Sequence, residues 1–230
     1  VVSALLVAAI RRPFHRAGVL DRARQVGAIR AGFRFVAHDR LLRAVIFPGF
    51  VAFIGVGFII AANPAFAELE GAGAVGLGAL WAGWGVGTML GSGLAPRILA
   101  RSREVPVAVV GFGLQSAALL AASVLPFWVA IAGLTVGGLG GGIADPARQT
   151  LVQRRSPDAI RGRVSSVMEA VGWSSFAVSL VAAGVLVDDL GVRPAYVVAG
   201  GLFVAGTDVM AVLAGRRAFS REPIAAPLVV

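Results

Sequence analysis

The chain contains no cysteine, no lysine and one tyrosine, and only 14% of its 230 residues are charged. Without cysteine there are no disulfides and no thiolate metal sites. All 21 basic residues are arginine, a bias that points to genomic base composition rather than to chemistry. The scarcity of charge is the most restrictive feature. A soluble globular chain carries roughly a quarter charged residues, whereas here apolar residues make up 57% and the mean hydropathy is +0.84. Too few charges remain to cover a surface that faces water. The two histidines, His15 and His38, both lie outside every long apolar run, which excludes a serine–histidine hydrolase working at membrane depth. No glycine loop sits between a strand and a helix, and no cluster of His and carboxylates has metal-ligand spacing. No catalytic residue, metal or cofactor is therefore expected, and the chain does not read as an enzyme.

What the sequence does contain is long uncharged runs. About 20 residues of helix cross a hydrocarbon core of about 30 Å. Residues 44–67 and 71–96 carry no charge at all, and residues 105–144 none over 40 positions. The last run is too long for one crossing and divides at Leu125-Pro126, where proline cannot continue a helix. Residues 164–187 are interrupted only by Glu169, and 194–215 only by Asp208. The expected fold class is all-α, a polytopic membrane helical bundle of six transmembrane helices spanning residues 44–215. Residues 1–10 are apolar and end in Arg11-Arg12-Pro13. Ten residues rise only about 15 Å, so this stretch is expected to be the end of a truncated transmembrane helix.

Short loops rich in arginine stay cytoplasmic, and the arginines sort by loop. Residues 11–43 hold nine, residues 97–103 three, residues 148–163 five and the tail 216–230 three, leaving Arg193 as the single arginine in the alternate connections. A wrong set of spans would scramble that parity. The expectation is a multi-pass protein of the cell membrane, with the 11–43 segment and the C-terminus cytoplasmic and the lipid bilayer as its surroundings. The net charge of +9 is then a topology signal, and no nucleic-acid partner is expected. Within the first loop, residues 22–36 set Val26, Ile29, Phe33 and Val36 on one helical face and Arg22, Arg30 and Arg34 on another. A helix at the lipid headgroups and a solvated linker both fit.

Glycine recurs every fourth residue at Gly83, Gly87 and Gly91 and again at Gly133, Gly137 and Gly141. Small residues at that spacing let helix backbones approach closely in lipid, and they also permit sliding of helices that must move. Ala82-Gly83-Trp84 in the second span is echoed by Val171-Gly172-Trp173 in the fifth. Those spans cross in opposite senses, as in two inverted three-helix repeats.

The segment Pro157-Asp158-Ala159-Ile160-Arg161-Gly162-Arg163 resembles the loop between helices 10 and 11 of the major facilitator superfamily. Upstream, the stretch from Gly142 through Asp145-Pro146-Ala147-Arg148-Gln149 is similar to the end of helix 10 in the exporter branch that includes siderophore and macrolide efflux proteins. Downstream, Gly184 through Asp188 to Gly191-Val192-Arg193-Pro194 resembles the end of helix 11 and its outer turn, and the Arg-rich 11–43 segment resembles the central loop between the two six-helix halves. The loop after helix 8 departs from the family pattern, with Pro96 where an acid is usual ahead of Arg97, Arg101 and Arg103. The resemblance implies helices 7 to 12, half of a 12-helix transporter fold, partnered by an N-terminal six-helix half of the same parent chain and by a small-molecule substrate. It implies a secondary active transporter working by alternating access, a proton-coupled exporter of small amphipathic molecules such as a drug or siderophore. The alternative is a six-helix membrane module that binds or scaffolds a partner and transports nothing.

Charges within lipid are costly and mark candidate sites. Measured from the nearest loop arginine at 1.5 Å per residue, Asp145 lies about 13 Å deep, Glu169 about 9 Å and Asp208 about 12 Å. Arg148 follows Asp145 by three residues, a spacing that permits pairing, and a structural ion pair is favoured over a transport role. Glu169 and Asp208 are expected to have no partner on their own helices. Asp145, Arg148, Glu169 and Asp208 are thus the candidates for substrate binding or proton coupling. Asn63-Pro64 predicts a kink and a candidate hinge, while Arg161 and Arg163 are candidates for an inner-gate contact, behind a Ser156 expected to cap a short helix. Gln115, Ser174, Ser175 and Ser179 can line a polar path, although serines in membrane helices commonly bond their own backbone.

Overall fold

The computed structural model describes residues 32–215; residues 1–10, 216–230 and most of the 11–43 segment lie outside the described part. Six helices make up nearly all of it: α1 (Arg40–Leu69), α2 (Gly73–Leu99), α3 (Glu104–Ala122), α4 (Phe127–Arg155), α5 (Asp158–Leu190) and α6 (Val192–Ala214). Each is long and apolar enough to cross a membrane, and no strand occurs among the described residues.

The helix ends follow local chemistry. Asp39 caps α1, its Oδ1 accepting from the backbone N–H of Leu41 at 2.8 Å and of Leu42 at 2.9 Å, which satisfies two of the N–H groups a helix start leaves free. The turn into α2 needs left-handed backbone at Gly71 and Gly73, and the turn into α6 at Gly191; glycine adopts it without a Cβ clash. The uncharged run of 40 residues does break at proline, with Pro126 at the N-cap of α4. At the next turn the expectation fails. No separate short helix forms there, because the chain leaves α4 in extended backbone at Ser156 and begins α5 at Asp158 with Pro157 in the capping position. Ser156 sits one residue too early to reach the free N–H groups of α5, and its buried Oγ makes no hydrogen bond.

The helices do not pack in chain order. α1 lies chiefly against α6 and α5, α4 lies chiefly against α3 and α2, and α3 meets α6. Exchanging α1 with α4, α2 with α5 and α3 with α6 leaves this pairing unchanged. Since α1 and α4 run in opposite senses, the bundle is two interlocked, inverted three-helix repeats.

Between helices in lipid there is little hydrophobic driving force, so close packing of small residues has to supply the attraction. The α2 glycines spaced by four, Gly83, Gly87 and Gly91, all face α4: a Cβ on Gly87 would strike the Thr135 carbonyl, one on Gly91 the Leu139 carbonyl, and one on Gly83 would lie 2.8 Å from the Thr135 hydroxyl. The α4 side of that seam is Gly138 and Gly142, which meet the carbonyls of Trp84 and Thr88. The Gly133, Gly137 and Gly141 series lies elsewhere, with Gly133 in open space, Gly137 against Ala118 and Gly141 against Gln115. Gly111 and Gly140 bring α3 equally close on the other side of α4. The repeat partner of α4 does the same, since Gly57 of α1 leaves room for Ser179 of α5 and Gly55 for Phe203 of α6.

The described end of the amphipathic segment, residues 32–36, lies in a helix that runs over 32–38. Val36 is buried with Leu42, Ile46, Val152 and Val164, so this end docks on the bundle instead of lying free at its edge. Phe33 and Arg34 on the same stretch are exposed.

Candidate functional site

The tight seams on both sides of α4 leave a gap in front of it. A cavity of about 220 Å³ opens between α1, α2 and α4, with Phe53, Asn63, Trp81, Trp84, Thr88 and Asp145 among its walls and Gln115 of α3 at its back. A smaller one of about 50 Å³ adjoins it and shares Phe53, Val56, Gln115 and Asp145. Arg148, Gly49 and Phe203 line the smaller one. Roughly 150 Å³ accommodates benzene, so the larger cavity has room for a small organic group.

Each polar wall residue is placed by a packing feature. The contact of Gly111 with Gly140 sets α3 so close that Gln115, one turn further on, reaches the face of α4, and Gly141 leaves the space that its amide fills, with Oε1 3.1 Å from where a Cβ would stand. Gln115 is 4% exposed, and its Oε1 receives no hydrogen bond. One turn beyond Gly141, the Asp145 Oδ1 pairs with Arg148 Nε at 3.5 Å. Asp145 is 55% exposed and Arg148 only 13%, because Asp145 opens into the cavity while Arg148 folds back toward Gly49 of α1. At the opposite end, Asn63 accepts a 2.6 Å hydrogen bond on Oδ1 from the hydroxyl of Tyr196, which is completely buried. Thr88 donates to the Trp84 carbonyl at 2.9 Å.

The acids do not converge. Asp145 and Arg148 come together as their spacing implied. Glu169 and Asp208 line neither cavity. Contrary to expectation, Glu169 has a partner on its own helix, accepting a 3.0 Å hydrogen bond on Oε2 from Trp173 Nε1. The i,i+4 spacing was visible in the sequence, but indole was not counted as a donor. Trp173 in turn meets the ring of Phe53 edge-on at 6.2 Å, so it borders the wall beside α1. Asp208 is exposed on α6. Pro64 lies within a continuous α1, exposed, next to an Asn63 tied to α6. Arg161 is engaged locally by Asp158 at 2.7 Å, and Arg163 is exposed, its backbone carbonyl beside Gly32 of the helical stretch 32–38. Ser174 and Ser179 bond their own helix, to the carbonyls of Ala170 and Phe176.

The architecture is that of a membrane bundle with a polar-backed cavity, and the family model of the Major Facilitator Superfamily matches residues 2–227. The chain belongs to the Major Facilitator Superfamily. This facilitator is therefore a multi-pass membrane protein of a transporter family, a family that is not generally enzymatic. No curated protein matches it significantly. Sequence reasoning gave Gln115 no special weight. Its signal was present, since a lone amide in an uncharged run of 40 residues has to find a partner or a cavity.

Proposed function

We propose that this facilitator chain forms the C-terminal, helix 7 to 12 half of a secondary active transporter, exporting small amphipathic molecules in exchange for protons by alternating access. The observation that carries the reading is the cavity beside α4. It combines an apolar, aromatic lining with one carboxylate open to it, Asp145, and that carboxylate stands on the helix packed at the centre of the α2–α3–α4 group. Support for the C-terminal half comes from the loop at residues 157–163 and from the closed set of six helices. The arginine-rich end is assigned to the cytoplasm. Asp145 takes the coupling role in preference to Glu169 and Asp208, since it alone of the three lines the cavity. A carboxyl that loads a proton in one conformation and releases it in the other links substrate movement to the proton gradient.

The test is transport by the full-length parent in proteoliposomes. Asp145→Asn should abolish accumulation driven by a pH gradient while preserving exchange between vesicles loaded with saturating substrate, because exchange does not require the proton to leave. Normal pH-driven accumulation by the variant would remove Asp145 from the mechanism. Topology is tested separately in this cysteine-free chain. A membrane-impermeant maleimide should label Ala72→Cys in intact cells and Ser102→Cys only after permeabilisation.

A further inference from the structure

The larger cavity is notable for which of its hydrogen-bonding groups are left unused. The Gln115 Oε1 is buried and has no donor, a costly state for an amide oxygen. Asp145 offers about four lone-pair positions, of which the single 3.5 Å contact with Arg148 Nε engages one. The Thr88 hydroxyl has given its hydrogen to the Trp84 carbonyl, so only its lone pairs remain. The wall's donors are neutral: the Asn63 amide, whose oxygen is already occupied by Tyr196, and the indoles of Trp81 and Trp84. Arg148 lines the smaller cavity and not the larger one, so the charged side chain on the larger cavity's wall is the carboxylate of Asp145. Around it stand Phe53, Trp81 and Trp84, rings of the kind whose faces attract cations.

We propose that this cavity takes a molecule with an apolar body and a protonated nitrogen that keeps at least one N–H. The nitrogen sits between Asp145 and Gln115, whose amide turns about its broad terminal torsion to accept the N–H, and the body lies against Phe53, Trp81 and Trp84. The inference rests on reading this cavity as a substrate site, and it narrows the substrate to amines and similar N–H cations. Charge alone does not satisfy Gln115, and a neutral donor adds no positive charge to the carboxylate face that Arg148 leaves open.

The experiment uses three probes of one shape on the purified full-length parent in lipid nanodiscs: 4-phenylbutylammonium, its N,N,N-trimethyl analogue, which keeps the charge and loses every N–H, and 4-phenylbutanol, which keeps a donor and loses the charge. Binding is read by calorimetry. The ammonium should bind on the order of ten- to a hundredfold tighter than either analogue, the ratio expected for one charge-assisted hydrogen bond. Gln115→Leu should erase the preference for ammonium over trimethylammonium, and Gln115→Glu, which retains an acceptor, should keep it. Asp145→Asn should erase the preference for ammonium over the alcohol. Each variant's thermal unfolding shows whether it is folded, and the probe ratios in the unsubstituted chain decide the matter without any variant. Equal binding of ammonium and trimethylammonium, equal binding of ammonium and alcohol, or no saturable binding of any probe overturns the proposal. The transport reading fails independently: selective binding without probe movement in proteoliposomes of the full-length parent leaves the site standing and removes transport, while movement of all three probes alike does the reverse.

Discussion

At the arginine-poor end of the bundle a single guanidinium, itself at the α5–α6 turn, bonds the other two connections, whereas at the arginine-rich end the links between helices are divided among several arginines. Arg193, at the start of α6, donates to the carbonyls of Ser123 at 3.0 Å and Leu125 at 3.5 Å and pairs with Glu70 at 3.2 Å. It also lies 5.9 Å from the centre of the Phe66 ring. It thereby satisfies carbonyls that the end of α3 leaves free and ties the α1–α2 turn to the α3–α4 turn. At the other end Arg155 meets Asp39 at 3.5 Å, Arg154 pairs with Glu104, and Arg40 donates to the Leu213 carbonyl at 2.8 Å. At the arginine-rich end no one of these described side chains carries all the links. One arginine on the other side has no substitute.

The comparison supposes that the middle of the bundle holds whatever happens at the ends, and the strongest perturbation tests that first. Gly87→Val should destabilise the protein by about 3 kcal/mol or abolish folded yield, since overpacking against backbone cannot be relieved by rotating a side chain. Gly78→Ala on the same helix meets nothing within 4 Å and should be neutral or slightly stabilising. Thermal unfolding in detergent measures both. Next, Arg193→Gln should cost about 2 kcal/mol, in the range for hydrogen bonds to a charged group, with little sensitivity to salt. Asp39→Ala removes the α1 cap and the partner of Arg155, for a loss of about 1 kcal/mol. Smallest of all, Arg154→Ala should cost less than about 0.5 kcal/mol, because that side chain is 71% exposed, and raising ionic strength should erase even this difference. Equal losses at Arg193 and Arg154 would dissolve the contrast between the ends.

The number of spans and their alternation were legible because both depend on composition along the chain, which hydropathy and arginine placement record directly. Rotation of each helix about its axis was not. The part of the uncharged run that becomes the α4 half, residues 127–144, has Thr135 as its one polar side chain, so nothing in its pattern distinguishes Gly138 and Gly142, which carry the α2 seam, from Gly133, which faces open space. Partners across helices were hidden for the same reason. The sequence offered no partner for Asn63, whose amide oxygen is held by Tyr196. The only tyrosine of the chain, inside an apolar span, had to place its hydroxyl somewhere, but the sequence could not say where. Asp145 with Arg148 was legible because both lie on one helix, three residues apart.

The interlocked pairing also orders events in time. The main neighbours of α1 are α5 and α6, so when α1 to α3 have entered the bilayer the small-residue face of α1 still has no helix to meet. Elongation runs at about 5–20 residues per second, and α5 begins at Asp158 while α1 begins at Arg40. On the order of ten seconds therefore passes in which Gly55 and Gly57 face lipid or an incorrect partner. A chain interrupted after α3 would not be half a structure but a set of exposed seams, the form on which membrane quality control acts.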